Sequence, residues 1–166
     1  MTDSARPMID NALLTALRDT HQITAATNVR FCMEQEQHSL YRLRQRLLDT
    51  AAPLSLSQAY LTLYDCLFRH VSMALLNQGY QLTAKQPHQT LRRIIRQSAP
   101  DLEVQHMIAQ RHMLKKTTST VVCKDAAATL IKVLGDYARQ DSQACQIPTP
   151  LVLQRIVMSS TIHQTP

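Results

Sequence analysis

One segment, running from Ser55 to Gly79, constrains the fold more than any other part of the chain. Ser55-Leu-Ser-Gln58 matches a capping box, in which a serine and a residue three positions later satisfy two backbone N–H groups at a helix start. Gly79 suits the left-handed position that commonly ends a helix. Between them, apolar residues recur at the helical steps of three and four, at Leu56, Tyr60, Leu63, Leu67, Val71 and Ala74. The segment therefore predicts one long helix at the centre of the core.

The same periodicity predicts helices elsewhere, from about Pro7 to Thr24, Asn28 to Ala51, His88 to Ser98, Pro100 to Lys116 and Val122 to Gln143. Only 2 glycines occur in 166 residues, which favours helices over sheets joined by tight turns. We therefore expect an all-α, five- to six-helix up-down bundle over residues 1–146 with a short C-terminal extension over 147–166. In the last helix, Leu130, Leu134 and Tyr137 complete the predicted core.

Three stretches are less helical in pattern. Tyr80 to Pro87 is expected to form a polar loop, and the β-branched run from Thr117 to Val122 is compatible with a short extended piece. Beyond Pro148 the chain has strand-like or short helical character. It is either packed onto the bundle or free to bind a partner, and the pattern does not choose between these.

Catalytic and metal-binding motifs are absent from the sequence. There is no G-x-S-x-G, and two isolated glycines cannot form a phosphate-binding loop. The seven histidines lack the spacings of metal ligands and are interpreted as ordinary polar-face residues. Cys32, Cys66, Cys123 and Cys145 form no C-x-x-C pair and are interpreted as reduced core residues. We expect no metal and no cofactor.

The location of the protein is predicted from two features. The first residues carry an acid and no continuous apolar run, unlike a secretory signal, and no stretch reaches 18 uninterrupted apolar residues. We therefore expect a cytoplasmic protein with no membrane partner.

The charge balance favours an anionic partner, because 18 basic residues against 12 acidic ones give a formal charge of +6. The basic residues of the predicted helix from Asn28 to Ala51, Arg42, Arg44 and Arg46, are expected to face mostly water. Two other basic stretches could line one groove that grips phosphates, or could simply be solvated helix faces. Their candidate binding residues are Arg92, Arg93, Arg96, Arg111, His112, Lys115 and Lys116.

The stretch from about Arg44 to Gln140 resembles a divergent HEPN domain, an all-α family associated with nucleotides and RNA. The resemblance lies in the long helix from Ala59 to Tyr80, the polar loop, the short helix Thr90-Leu-Arg-Arg-Ile-Ile-Arg96 and a following helix that reaches Gln110-Arg111-His112. It implies a helical module that forms a homodimer through its long helices.

Active ribonucleases of that family carry an Arg followed four to six residues later by a His. Arg111 lies where that Arg would fall, but Lys116, Thr117 and Thr118 stand where the His would be. The resemblance thus implies a non-catalytic module that binds a nucleotide, RNA or an acidic protein partner. The alternative is an accessory or adaptor subunit of a larger complex with no ligand site. A DNA-binding regulator is disfavoured, because no short helix-turn-helix connection is visible between His88 and Gln110.

Overall fold

The computed structural model describes residues 8–117, 120–139 and 147–159. Within these ranges the chain forms seven α-helices and one two-stranded antiparallel sheet, which confirms the predicted all-α class. In chain order the elements are α1 (Asn11–Asp19), β1 (Ile23–Ala25), α2 (Val29–Leu48), α3 (Leu56–Asn77), β2 (Tyr80–Leu82), α4 (Pro87–Ser98), α5 (Val104–Lys116), α6 (Lys124–Arg139) and α7 (Leu151–Met158).

Helix α3 is the centre of the bundle and packs against α2, α4, α5, α6 and α7. The predicted capping box is present: the Gln58 backbone N–H donates to Ser55 Oγ at 3.3 Å, and the Ser55 backbone N–H donates to Gln58 Oε1 at 3.0 Å. Gly79 adopts the expected left-handed conformation, with φ of +86°. Most of the predicted core is buried, at Tyr60, Leu63, Leu67, Val71, Leu130 and Leu134, while Leu56, Ala74 and Tyr137 are half-buried and pack against it.

The prediction for the first helix is wrong at both ends, because α1 spans only Asn11–Asp19. The chain leaves α1 at Thr20, and His21 takes a left-handed conformation with φ of +58°, which redirects the backbone. Ile23 then enters β1 and pairs with Leu82 of β2, so part of the predicted polar loop is a strand. The apolar spacing that places Ile23 on a helix is a coincidence that the long-range pairing overrides. Pro7 itself lies outside the described residues, but residues 8–10 are not helical and Asp10 caps the helix, so the predicted start is too early.

Two other helices are shorter than predicted, because local turns cap them early. Helix α2 ends at Leu48, where the Asp49 side chain accepts from the backbone N–H groups of Ala51 and Ala52. Helix α5 begins at Val104 and not at Pro100, because a turn with a hydrogen bond from Leu102 N to Ala99 O comes first.

The described part of the tail after Pro148 packs onto the bundle. Its helix α7 contacts α3 and α6, and the side chain of Leu153 is fully buried. Helix α6 is described as far as Arg139, so its predicted end at Gln143 lies outside the described residues. The stretch Thr120 to Cys123 is assigned to neither helix nor strand. None of the described helices is long and apolar enough to span a bilayer.

The cysteines only partly match the predicted core positions. Cys66 is fully buried, and burial raises the pKa of its thiol to about 12. Cys32 is half-buried, whereas Cys123 is exposed, so its assignment to the core is wrong. Cys123 lies just before α6, where its backbone N–H donates to Gln110 Oε1 at 2.7 Å. Cys145 lies outside the described residues.

Candidate anion-binding site

The predicted basic residues lie on two helices that pack together. Helix α4 carries Arg92, Arg93 and Arg96, and helix α5 carries Arg111, His112, Lys115 and Lys116. Lys115 follows Arg111 by four residues and Lys116 follows His112 by four, so each extends the helix face of its predecessor. Arg96, His112, Lys115 and Lys116 are exposed, whereas Arg92, Arg93 and Arg111 are half-buried.

Arg93 has a structural role and does not join the others as a free cation. Its Nη1 donates to the Gln22 Oε1 atom at 2.8 Å, and Gln22 itself is buried. The Gln22 amide in turn donates to Thr90 Oγ1 at 3.1 Å. This network ties α4 to the segment between α1 and β1. The prediction that Arg93 points outward to bind an anion is therefore not supported by its contacts.

Three helices converge on a compact group of side chains that we call the tyrosine–histidine cluster: Tyr64 and Phe68 from α3, His88 from α4, and Arg111 and His112 from α5. The Tyr64 hydroxyl lies 3.0 Å from His88 Nδ1. The His88 ring is 5.5 Å from the Phe68 ring and 5.6 Å from the His112 ring, measured between centroids. His112 meets His88 edge to face.

Arg111 is the charged member of this cluster. Its guanidinium carbon lies 5.2 Å from the centre of the Tyr64 ring, within the range of a cation–π contact. Among the described residues it forms no ion pair, and its buried Nε atom has no hydrogen-bond acceptor. A partly buried guanidinium that lacks a counter-charge is costly, because the ring face replaces only part of its lost hydration. Arg111 is thus well suited to attract an anion.

Ionisation in the cluster follows from burial and from this positive charge. Burial, the Arg111 guanidinium and His112 together lower the pKa of His88 from 6.5 to about 4. Burial also raises the pKa of Tyr64 well above its ordinary value, although Arg111 opposes that shift. At neutral pH His88 is therefore neutral and Tyr64 is a phenol. The Tyr64 hydroxyl can donate to Nδ1 of His88, in which case the ring proton of His88 lies on Nε2.

The interpretation of all histidines as polar-face residues is wrong for two of them. His70 is buried within α3, and His88 is half-buried in the cluster. His21, His38, His106 and His112 are exposed, and His163 lies outside the described residues. The sequence does contain a signal that His88 faces the core. His88 precedes Leu91 by three residues and Ile95 by seven, which places all three on the buried face of α4.

Periodicity also contains a signal for Tyr64, since it lies four residues after Tyr60 and three before Leu67 on the buried side of α3. What spacing cannot provide is the meeting of α3, α4 and α5 at one point. Within the described ranges, no three His, Cys, Asp or Glu side chains are grouped so as to hold a metal ion.

The arrangement provides a guanidinium for charge and hydrogen bonding, further cations along α5, and partly exposed rings for stacking. Proteins use such cations to bind phosphate groups and such rings to stack on unpaired bases. Comparisons with protein-family models, with curated proteins and with solved structures found no match to this chain.

Proposed function

We propose that the protein binds single-stranded RNA, without cleaving it, on the surface formed by the tyrosine–histidine cluster and the neighbouring cations of α4 and α5. The observation that carries this proposal is Arg111, a half-buried guanidinium with no counter-charge among the described residues and an unused buried donor. A phosphate bound at the exposed part of this side chain would neutralise the charge.

Further cations on α4 and α5 favour a chain of phosphates over a single small anion. Arg92, Arg96, Lys115 and Lys116 also lack ion pairs within the described part of the chain. Arg96, Lys115 and Lys116 are exposed, so a polyanion can reach them. The exposed ring of His112 and the half-buried ring of Phe68 offer surfaces on which unpaired bases can stack.

A binding role is favoured over cleavage by the missing Arg–His spacing and by the state of His88. The HEPN-like spacing of Arg and His is missing. His112 does follow Arg111 directly in the sequence, and the His88 ring contacts the His112 ring. Metal-independent cleavage of RNA needs a group that exchanges protons near neutral pH. His88 has a pKa of about 4 and its Nδ1 faces the Tyr64 hydroxyl, so it is a poor proton carrier at pH 7.

Replacement of Arg111 by Gln tests the proposal. It removes the charge and most of the donors and leaves a shorter, neutral amide side chain, so the affinity for single-stranded RNA should fall roughly tenfold or more at low salt. Fluorescence anisotropy with a labelled oligoribonucleotide gives this affinity directly. The RNA should also remain intact during the measurement, as a denaturing gel can check.

The matched control is Arg155→Gln on α7, which removes one charge from an exposed arginine far along the chain from the cluster. Its affinity should stay within about twofold of wild type, since it alters only the long-range field. Equal losses in the two variants would show that binding is non-specific. Cleavage of RNA that disappears in Arg111→Gln would contradict the non-catalytic assignment.

A second candidate, an accessory subunit that docks through helix faces, is favoured by the outer surface of α2. Phe31, Tyr41 and Leu48 are each more than half exposed there, at 54%, 57% and 51%. The homodimer implied by the HEPN resemblance would use such a face. Sedimentation equilibrium should then show a dimer that Phe31→Glu with Tyr41→Glu dissociates, while a wild-type monomer at all concentrations would exclude self-association through α2.

A further inference from the structure

A pocket of about 290 Å³ lies between α2 and α3, on residues other than those of the tyrosine–histidine cluster. Its lining consists of Ser39, Arg42, Leu43, Arg46, Asp65 and Arg69. On α2, Arg42 and Leu43 lie three and four residues after Ser39 and four and three before Arg46, and Asp65 and Arg69 are four apart on α3. Two helical stripes therefore face each other, and their spacing places three arginines along one pocket.

The positive charge of this pocket is only partly compensated. Arg69 pairs with Glu36 at 3.2 Å, but its buried Nε atom has no hydrogen-bond acceptor among the described residues. In the same ranges Arg42, Arg46 and Asp65 take part in no ion pair within 4.0 Å. Three arginines against the two carboxylates of Glu36 and Asp65 leave an excess of one positive charge around the pocket.

We infer that this pocket is a binding site for a small phosphate monoester that also carries hydroxyl groups, such as a sugar phosphate or a mononucleotide. Arginine presents paired donors that match phosphate oxygens, and Arg42 and Arg46 lie one helical turn apart on the same face. The Asp65 carboxylate is an acceptor for hydroxyl groups, and Ser39 adds a neutral hydroxyl. The volume is at the lower end of small-molecule sites, roughly 300 Å³, which suits a ligand of this size.

The probes are adenosine 5′-monophosphate, ribose 5-phosphate, inorganic phosphate and adenosine, titrated separately by calorimetry into the full chain at low salt. Both phosphate monoesters should bind with a dissociation constant of about 1 mM or below. Inorganic phosphate should bind more weakly because it lacks the hydroxyl contacts, and adenosine should not bind. Asp65→Asn should reduce the preference for ribose 5-phosphate over inorganic phosphate.

Arg42→Gln combined with Arg46→Gln should weaken binding of the monoesters roughly tenfold or more. Both arginines are exposed, so the variant should keep the thermal transition of wild type. The matched control, Arg30→Gln with Arg155→Gln, removes the same charge from exposed positions outside the pocket and should leave binding unchanged.

The test is independent of the RNA proposal, since Lys115→Glu with Lys116→Glu should leave monoester binding at the pocket within about twofold of wild type. Three results would overturn the inference: no binding of either monoester up to about 10 mM, equal binding of adenosine, or equal affinity in the pocket variant and wild type.

Discussion

Helices α2 and α3 are of similar length and pack against each other, yet they differ sharply in burial. Of the 22 residues of α3, thirteen are buried, whereas only Leu40 is buried among the 20 residues of α2. Helix α3 contacts neighbours on several sides, and α2 covers one side of it. Similar length and helical periodicity therefore do not imply a similar role in stability.

The difference also separates two kinds of basic surface. In the tyrosine–histidine cluster, Arg111 is half-buried against Tyr64 of α3, so the position of its charge is determined by the core residues around it. On α2, Arg42 and Arg46 are exposed and owe their arrangement mainly to helical spacing. Substitutions near α3 should accordingly change stability, and substitutions of the exposed Arg42 and Arg46 should change binding alone.

The largest effect should come from a pair of identical truncations on the two helices. Leu67 on α3 is fully buried, so Leu67→Ala should reduce the free energy of unfolding by about 2 to 5 kcal/mol, because it removes buried apolar surface and leaves a cavity. Leu48 on α2 is 51% exposed, so Leu48→Ala should cost less than about 0.5 kcal/mol. Urea denaturation at neutral pH measures both. Losses of equal size would mean that α2 contributes to the core as much as α3 does.

A smaller effect should appear as a pH dependence of stability. The pKa of His88 falls from 6.5 to about 4 on folding, so between these values the unfolded chain binds more protons than the folded one. Stability should therefore be constant above about pH 7 and should decrease as the pH falls toward 4. The titration of His88 should lower the free energy of unfolding by about 1 to 2 kcal/mol over this range. This figure is reduced to allow for solvent screening, because the group is only half-buried.

The variant His88→Gln isolates the part of this pH dependence that comes from His88, because carboxylates elsewhere also titrate in this range. The variant should lose less stability than wild type between pH 7 and pH 4. His38→Asn on the exposed side of α2 is the control and should follow the wild-type curve. A variant at His88 that follows the wild-type curve as well would show that the ring titrates normally in the folded protein.

Features set by neighbouring residues can be predicted from the sequence. The start of α3 at Ser55 and its end before Gly79 depend on hydrogen bonds and backbone angles within a few residues, and both predictions are confirmed. The pairing of Ile23 with Leu82 joins residues far apart in the chain and has no local signal, so periodicity alone assigns β1 to a helix. At the end of α2, hydrogen bonds to the Asp49 side chain stop the helix before it reaches Pro53. At the start of α5, a turn that includes Pro100 comes first, and the helix begins only at Val104.

The candidate site divides in the same way. Composition and spacing identify the cations of α4 and α5, because i to i+4 neighbours on a helix are determined locally. They do not identify Tyr64 and His88 as site residues, since the cluster exists only where three helices meet. They also place Arg93 among the anion-binding residues, although its partner Gln22 comes from a distant segment.

The most direct test of the central claim is the salt dependence of RNA binding. Each phosphate neutralised by a cation releases counterions, so the affinity of wild type for single-stranded RNA should fall linearly with salt on a double-logarithmic plot. Lys115→Glu with Lys116→Glu should weaken binding and flatten the slope by about one unit for each phosphate that these side chains no longer neutralise. Arg30→Glu with Lys132→Glu makes the same charge change at exposed positions on α2 and α6 and should keep the wild-type slope. Equal slopes in all three proteins, or no binding of wild type at low salt, would contradict the assignment of this surface to RNA.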